Sequence, residues 1–160
     1  MKKILFVSAT NTDVGKTYAC EKLLKHYAKK GFKVGYFKPF ETGVIDFPLD
    51  GTKMLNLVKI LNPSFNVTIN DVVPYQFKLP AAPYVAKENT IIDLEFLQEK
   101  KKYLEQFCNL LIIEGAGGLM VPIEKDLFII DLIKIFEASA ILIAPSKLGC
   151  INDTILSVNV

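Results

Sequence analysis

Lys16 and Thr17 close the run Thr10-Asn-Thr-Asp-Val-Gly-Lys-Thr17, and their types and spacing suit the binding of a polyphosphate. A backbone that turns through a glycine directs successive N–H groups at an anion, and the positive end of the following helix dipole adds to that field. The Lys16 ammonium is placed to reach the outer phosphates, and the Thr17 hydroxyl to ligate Mg²⁺. The usual pattern wants a glycine five residues before Gly15; this chain has Thr10 there, preceded by Ala9. The plainer alternative is a lysine and threonine that merely begin a solvated helix.

Further candidates stand where apolar segments end. Glu114 follows Leu110-Leu-Ile-Ile113, where a phosphate-loop protein places a second metal-binding acid; its plain alternative is a carboxylate that caps nearby backbone N–H groups. Gly115, Gly117 and Gly118 let backbone approach a ligand closely, or form a tight turn. Lys38 ends a second apolar segment beside Pro39 and is placed to meet an anionic substrate or a transferring phosphate. Asp50 has two open readings, a helix N-cap or a metal ligand. Ser146 to Asn152 follow the last apolar run. His26, on the polar side of the first helix, is assigned no chemistry.

The elements that must position these groups alternate. Met1 to Ala9 reads as a short buried strand, and Lys16 to Lys30 as a helix with Cys20, Leu23, Leu24 and Tyr27 on its apolar side and Gly31 beyond its end. Phe32 to Lys38 is a second strand, and the 40s up to Pro48 an irregular loop. A helix then starts at Asp50 and ends at Asn62-Pro63. Residues 64–92 are mixed and punctuated by Pro74, Pro80 and Pro83. Thr90-Ile-Ile-Asp93 resembles a capping box before a helix to about Phe107. Leu110 to Ile113 is a core strand, about Phe128 to Phe136 a helix, and Ala140 to Ala144 another buried strand. Such alternation implies an α/β domain, a mostly parallel sheet with right-handed crossovers and helices on both faces, like that of P-loop NTPases. These sheets bind ligands beyond the carboxyl ends of their strands, so the polar candidates are expected to meet in one crevice.

Length and composition narrow the classes. At 160 residues the chain reads as one domain, 1–160, with core enough to fold. Hydrophobic content of 51% without an uninterrupted apolar run of membrane-spanning length points to a doubly covered sheet, with no membrane partner and no signal peptide. Nineteen basic against seventeen acidic residues leave a net charge of +2, too mild to argue for nucleic acid. Cys20, Cys108 and Cys150 lack metal spacing and read as free thiols of a cytoplasmic protein. Lys100-Lys-Lys102 reads as a solvated helix face. Asn152 to Val160 looks like the start of a helix, so the domain is expected to be incomplete at this end.

Taken together, four blocks resemble the dethiobiotin synthetase family. Thr10 to Thr17 is similar to that family's phosphate loop, which is one residue longer than the ordinary pattern. Lys38-Pro-Phe-Glu-Thr-Gly43, Glu114-Gly-Ala-Gly-Gly-Leu-Met-Val-Pro122 and Leu148-Gly-Cys-Ile-Asn152 resemble its later blocks in the same order. The resemblance implies a homodimeric ligase that uses ATP, CO₂ and Mg²⁺ to convert 7,8-diaminopelargonic acid to dethiobiotin, through a carbamate and a carbamic-phosphoric anhydride. It implies nucleotide contacts from Asp13, Val14, Gly15, Lys16, Thr17, Tyr18, Asp50, Glu114, Gly115, Ala116 and Gly117, and a metal held by Thr17, Asp50 and Glu114. It implies catalytic roles for Lys38, Lys16 and Thr12, and substrate contacts from Thr12, Lys38 and Thr42. Gly149, Cys150, Ile151 and Asn152 of a partner copy would hold the substrate carboxylate. Ala9 stands where the family usually has glycine, and the cradle needs Ala9 to keep a negative φ. Family members also run on past this length with base-contacting segments, so base preference is not read. The rival is a ParA/MinD-like switch ATPase, but its loop carries an extra lysine near the start and residues 9–15 contain none. A third reading is a non-catalytic nucleotide-binding or scaffold domain.

Overall fold

The sheet that carries the site is built from four apolar segments, three of them with buried stretches and the fourth half-buried to exposed. A computed structural model describes residues 3–160. In order the chain forms β1 (Lys3–Ala9), α1 (Lys16–Lys29), β2 (Val34–Phe37), β3 (Phe40–Thr42), α2 (Leu49–Leu61), α3 (Ile69–Val72), β4 (Tyr75–Phe77), α4 (Pro83–Ala86) and α5 (Leu94–Leu104). It continues through β5 (Leu110–Gly118), β6 (Pro122–Glu124), β7 (Leu127–Phe128), α6 (Ile129–Ile135), β8 (Ser139–Ile143) and α7 (Cys150–Val158). Among the described residues the main sheet has the order β2-β5-β1-β8 and is wholly parallel.

Strand alternation sends successive side chains to opposite faces. Tyr36 faces the α1 side, where its hydroxyl donates to Glu114, while the Phe37 ring lies 5.9 Å from that of Phe136 at the end of α6. Helix α1 starts at Gly15, whose φ of 98° only glycine adopts freely, and buries Cys20 and Leu24 one turn apart. Helix α2 ends on Asn62, whose buried amide donates to the carbonyls of Val34 and Phe107, both at 2.9 Å. These two bonds pin the helix to the edge of the sheet.

Several boundaries differ from the sequence reading. The 40s are not wholly irregular: Phe40–Thr42 pairs in parallel with Tyr75–Phe77. The strand begun at Leu110 does not stop at Ile113; it runs to Gly118, with Glu114 inside it and paired to Val7. The cap of α5 is Asp93, not Thr90, since Phe96 N–H donates to Asp93 Oδ1 at 3.0 Å. β8 is half-buried to exposed, because among the described strands it pairs with β1 alone and lies at the sheet edge. Met1, part of the first expected strand, lies outside the described residues. Lys100 is not simply solvated: it meets Asp71 at 2.7 Å, and Lys101 lies 3.7 Å from Glu105.

The Asp71 contact yields a pH test. Its carboxylate accepts from Thr68 N–H at 2.9 Å, Thr68 Oγ1 at 2.6 Å and Lys100 Nζ at 2.7 Å. Burial alone would raise the Asp71 pKa, but the Lys100 and Thr68 hydrogen bonds outweigh it and hold the carboxyl below the usual aspartate value of 3.8. A depressed carboxylate contributes stability that is present above its unfolded pKa and lost as pH falls through the folded one. Asp71→Asn is therefore expected to lower Tm by about 3 °C near neutral pH, with the deficit shrinking once pH falls below 3.8 and vanishing below the lower folded pKa. Thermal melts across the acid limb check this; a deficit constant with pH would show that charge plays no part.

Candidate active site

Four elements converge on one cavity of about 550 Å³ at the carboxyl ends of β1, β2 and β5. The β1–α1 loop and the first turn of α1 supply Thr12, Asp13, Gly15, Lys16, Thr17 and Tyr18; the chain after β2 supplies Lys38 and Thr42; α2 supplies Asp50; β5 supplies Glu114, Gly115, Ala116 and Gly117. The loop turns with positive φ at Asp13 (57°) and Gly15 (98°), the kind of backbone that gathers N–H groups into an anion-binding concavity. Ala9 keeps a negative φ and pairs with Gly118 and Ile143, so its methyl does not distort the turn.

At the floor of the cavity lies a cluster of complementary charges. Lys38 Nζ is 2.8 Å from Glu114 Oε1 and 3.2 Å from Asp50 Oδ2. Thr17 Oγ1 donates to Glu114 Oε1 at 2.8 Å and lies 3.3 Å from Asp50 Oδ2. A hydroxyl has one proton to give, so only one of those contacts is made at a time, and the shorter is to Glu114. Tyr36 Oη donates to the second oxygen, Glu114 Oε2, at 2.8 Å. Glu114 is 1% exposed, whereas the Asp50 side chain is 48% exposed and faces the open side.

Electrostatics follow from this burial. Desolvation alone would lower the pKa of Lys38, but Glu114 and then Asp50 override it and hold the ammonium above the ordinary lysine value. Burial, then the Glu114 charge, pushes the Tyr36 phenol well above its usual value and the Cys20 thiol up as well. Both groups therefore remain protonated beside the carboxylate. Lys16 is buried too, and desolvation lowers its pKa despite the opposing pull of Glu114. Its only hydrogen bond among the described residues is long, 3.4 Å to the Asn11 carbonyl.

The donor set fits a hard cation. Thr17, Asp50 and Glu114 offer only oxygens, while the nearby Cys20 sulfur is a protonated thiol. Among the described residues no group of three or more His, Cys, Asp or Glu side chains is arranged to hold a metal. Mg²⁺ needs none, because it keeps several waters and takes one or two carboxylates together with substrate phosphates.

Most expected site residues thus come together, with two exceptions. Val14 lies in the loop but does not line the cavity, and Gly149 to Asn152 stand apart from it, at the start of α7. The N-cap reading of Asp50 fails, since helix α2 starts at Leu49 behind Pro48 and Asp50 already sits in its first turn. Gly115 and Gly117 also have packing reasons to be glycine: a Cβ on Gly115 would lie 3.0 Å from Phe6, and one on Gly117 2.7 Å from Val121. A second cavity of about 510 Å³ adjoins the first through Thr12, Thr42 and Ala116, and Pro80, Ala81, Ala82 and Pro83 form its apolar side. Sequence reasoning missed that wall, as it missed Phe40 and the side-chain role of Glu41. The proline punctuation of residues 64–92 reads as irregularity, yet the segment forms α3, β4 and α4.

A parallel sheet with a Gly-Lys-Thr helix start after one strand and a buried acid in the next defines a P-loop NTPase-like domain. The crystal structure of the signal recognition particle receptor FtsY from Elizabethkingia anophelis shares this fold with a TM-score of 0.50 at 14% identity, covering 96% of this chain and 46% of that one. A family model described as an AAA domain matches residues 3–160. The chain is 48% identical to the ATP-dependent dethiobiotin synthetase BioD of Sulfurovum sp., over 96% of this chain and 73% of the relative. Identity is 39% to the same-named protein of Wolinella succinogenes (97% and 73% covered) and 35% to that of Aquifex aeolicus (96% and 67%). This chain belongs to the ATP-dependent dethiobiotin synthetase family.

Among the described residues no helix is long and apolar enough to cross a membrane.

Proposed function

We propose that this chain, as one P-loop-type domain over residues 1–160, is a cyclo-ligase of the cytoplasm. It carboxylates 7,8-diaminopelargonic acid with CO₂ and closes the ureido ring of dethiobiotin at the expense of ATP. The observation that carries the reading is the Lys38–Glu114–Asp50–Thr17 cluster at the base of the cavity that Lys16 also lines.

Three steps balance. One substrate amine adds to CO₂, losing a proton and forming a carbamate. A carbamate oxygen then attacks the γ-phosphorus of ATP in line, ADP leaves, and a carbamic-phosphoric anhydride results. The second amine attacks the activated carbon, loses its proton and expels phosphate. Backbone amides of residues 13–17 and the Lys16 ammonium bind the triphosphate. Lys38 meets the carbamate and the charge developing on the transferring phosphoryl group, while Thr12 and Thr42 orient the substrate. Thr17, Asp50 and Glu114 would hold Mg²⁺, which when bound would neutralise phosphate charge. The adjoining chamber walled by Pro80 to Pro83 suits the alkyl chain of the diamine.

A homodimer completes the reading. Gly149, Cys150, Ile151 and Asn152 lie outside their own cavity, next to an α7 surface on which Ile151, Ile155, Leu156 and Val158 are exposed. That surface suits a second copy, whose substrate carboxylate these residues would then meet. Cys150 acts there as a small side chain, not a nucleophile.

Phosphate release from ATP is the test. It is expected to require both CO₂ and the diamine. Release indifferent to the diamine but stimulated by DNA or lipid vesicles would instead favour a switch ATPase.

A further inference from the structure

Helix α2 begins without a cap of its own. Pro48 at its N-cap position makes no side-chain cap bond, so the first-turn amides need acceptors from elsewhere. Glu41 supplies them from another element: Oε1 accepts from Asp50 N–H at 3.0 Å and Oε2 from Gly51 N–H at 2.9 Å. The side chain is seated firmly, because Glu41 is 7% exposed and its strand β3 is paired to β4 with Glu41 opposite Gln76. Contact with the helix is close. A Cβ on Gly51 would fall 2.2 Å from Val73 Cγ2 and 3.1 Å from Glu41 Oε2, so the first turn lies directly on the carboxylate. The negative charge also sits at the positive end of the α2 dipole. With its amide engaged by Glu41, Asp50 directs its own carboxylate toward Thr17 and Lys38 and not back onto the helix start.

We propose that Glu41 is a positioning residue: it fixes the first turn of α2 and thereby aims the Asp50 carboxylate into the Thr17–Glu114 cluster. The consequence for metal binding rests on the function proposed above; the hold on α2 does not.

Two readouts in the full chain test the proposal. Amide hydrogen exchange by NMR, in the absence of any nucleotide, is expected to quicken about tenfold at Asp50 and Gly51 in Glu41→Ala, with protection retained at Met54 and Val58. Glu41→Gln keeps the volume and one acceptor, so it should show a smaller rise even if the alanine variant folds poorly. The Mg²⁺ concentration for half-maximal binding of a non-hydrolysable ATP analogue should rise about tenfold in Glu41→Gln. In an Asp50→Asn background the same substitution should add no further shift. Unchanged exchange at Asp50 and Gly51, or equal Mg²⁺ shifts in both backgrounds, overturns the proposal. If the unaltered chain binds no analogue at all, the functional reading fails alone, and the exchange rates still decide whether Glu41 holds the turn.

Discussion

Lys16→Ala is expected to weaken ATP binding by at least about 100-fold, equivalent to about 2.7 kcal/mol. The side chain is 8% exposed and has one long bond to the Asn11 carbonyl, so its charge is desolvated without a close protein partner. A triphosphate supplies that partner, and charge-assisted hydrogen bonds in a dry site contribute about 1.5–3 kcal/mol each. Since the protein itself gains little from the contact, Tm should change little, which separates lost affinity from lost fold. Calorimetric titration with ATP measures the effect; unchanged affinity would remove Lys16 from the phosphate site.

Lys38→Ala should act differently, cutting turnover about 1,000-fold while nucleotide affinity changes only a few-fold. Charge stabilisation confined to the transition state lowers kcat and leaves ground-state binding nearly intact. Loss of Lys38 also strands Glu114, which is 1% exposed and is left with uncharged hydrogen-bond partners, the Thr17 and Tyr36 hydroxyls and the Cys20 thiol. Removing one partner of a buried ion pair costs about 3 kcal/mol, so the variant should melt lower without Mg²⁺ and recover part of the loss when it is added. In the unaltered protein the sign of the pH effect is fixed by the raised Lys38 pKa. Its contribution is complete below the unfolded lysine value of 10.5 and fades only as pH rises through the higher folded value. Steady-state kinetics beside nucleotide titration separates the two effects. Turnover equal to that of the unaltered chain would retire Lys38 as a catalytic group.

The sequence made legible the parts that depend on apolar segments and their ends. Lys16, Thr17, Lys38 and Glu114 each sit beside a short run of β-branched or aliphatic residues, and the parallel sheet forces those ends together. What depends on distant pairing was not legible. Phe40–Thr42 is three residues long, too short for a periodic signal, and its partner lies more than thirty residues away among prolines. Without that pairing Glu41 reads as a loop acid, and Asp50 stays open between a helix cap and a metal ligand. The glycines after Glu114 left two readings open, close approach to a ligand or a tight turn; β5 runs on through them, Gly115 and Gly117 line the cavity, and Gly115 also keeps the strand clear of Phe6 and Ile129. The apolar run at β8 was read as buried because composition does not reveal which strand lies at the edge.

A co-crystal of the chain with a non-hydrolysable ATP analogue, Mg²⁺ and the diamine bears most directly on the central claim. One metal ion should touch Thr17 Oγ1 and the carboxylates of Asp50 and Glu114, with the triphosphate lying along the amides of residues 13–17 and Lys16 on its outer phosphates. A nucleotide seated elsewhere, or a metal that touches none of those three side chains, would contradict the account.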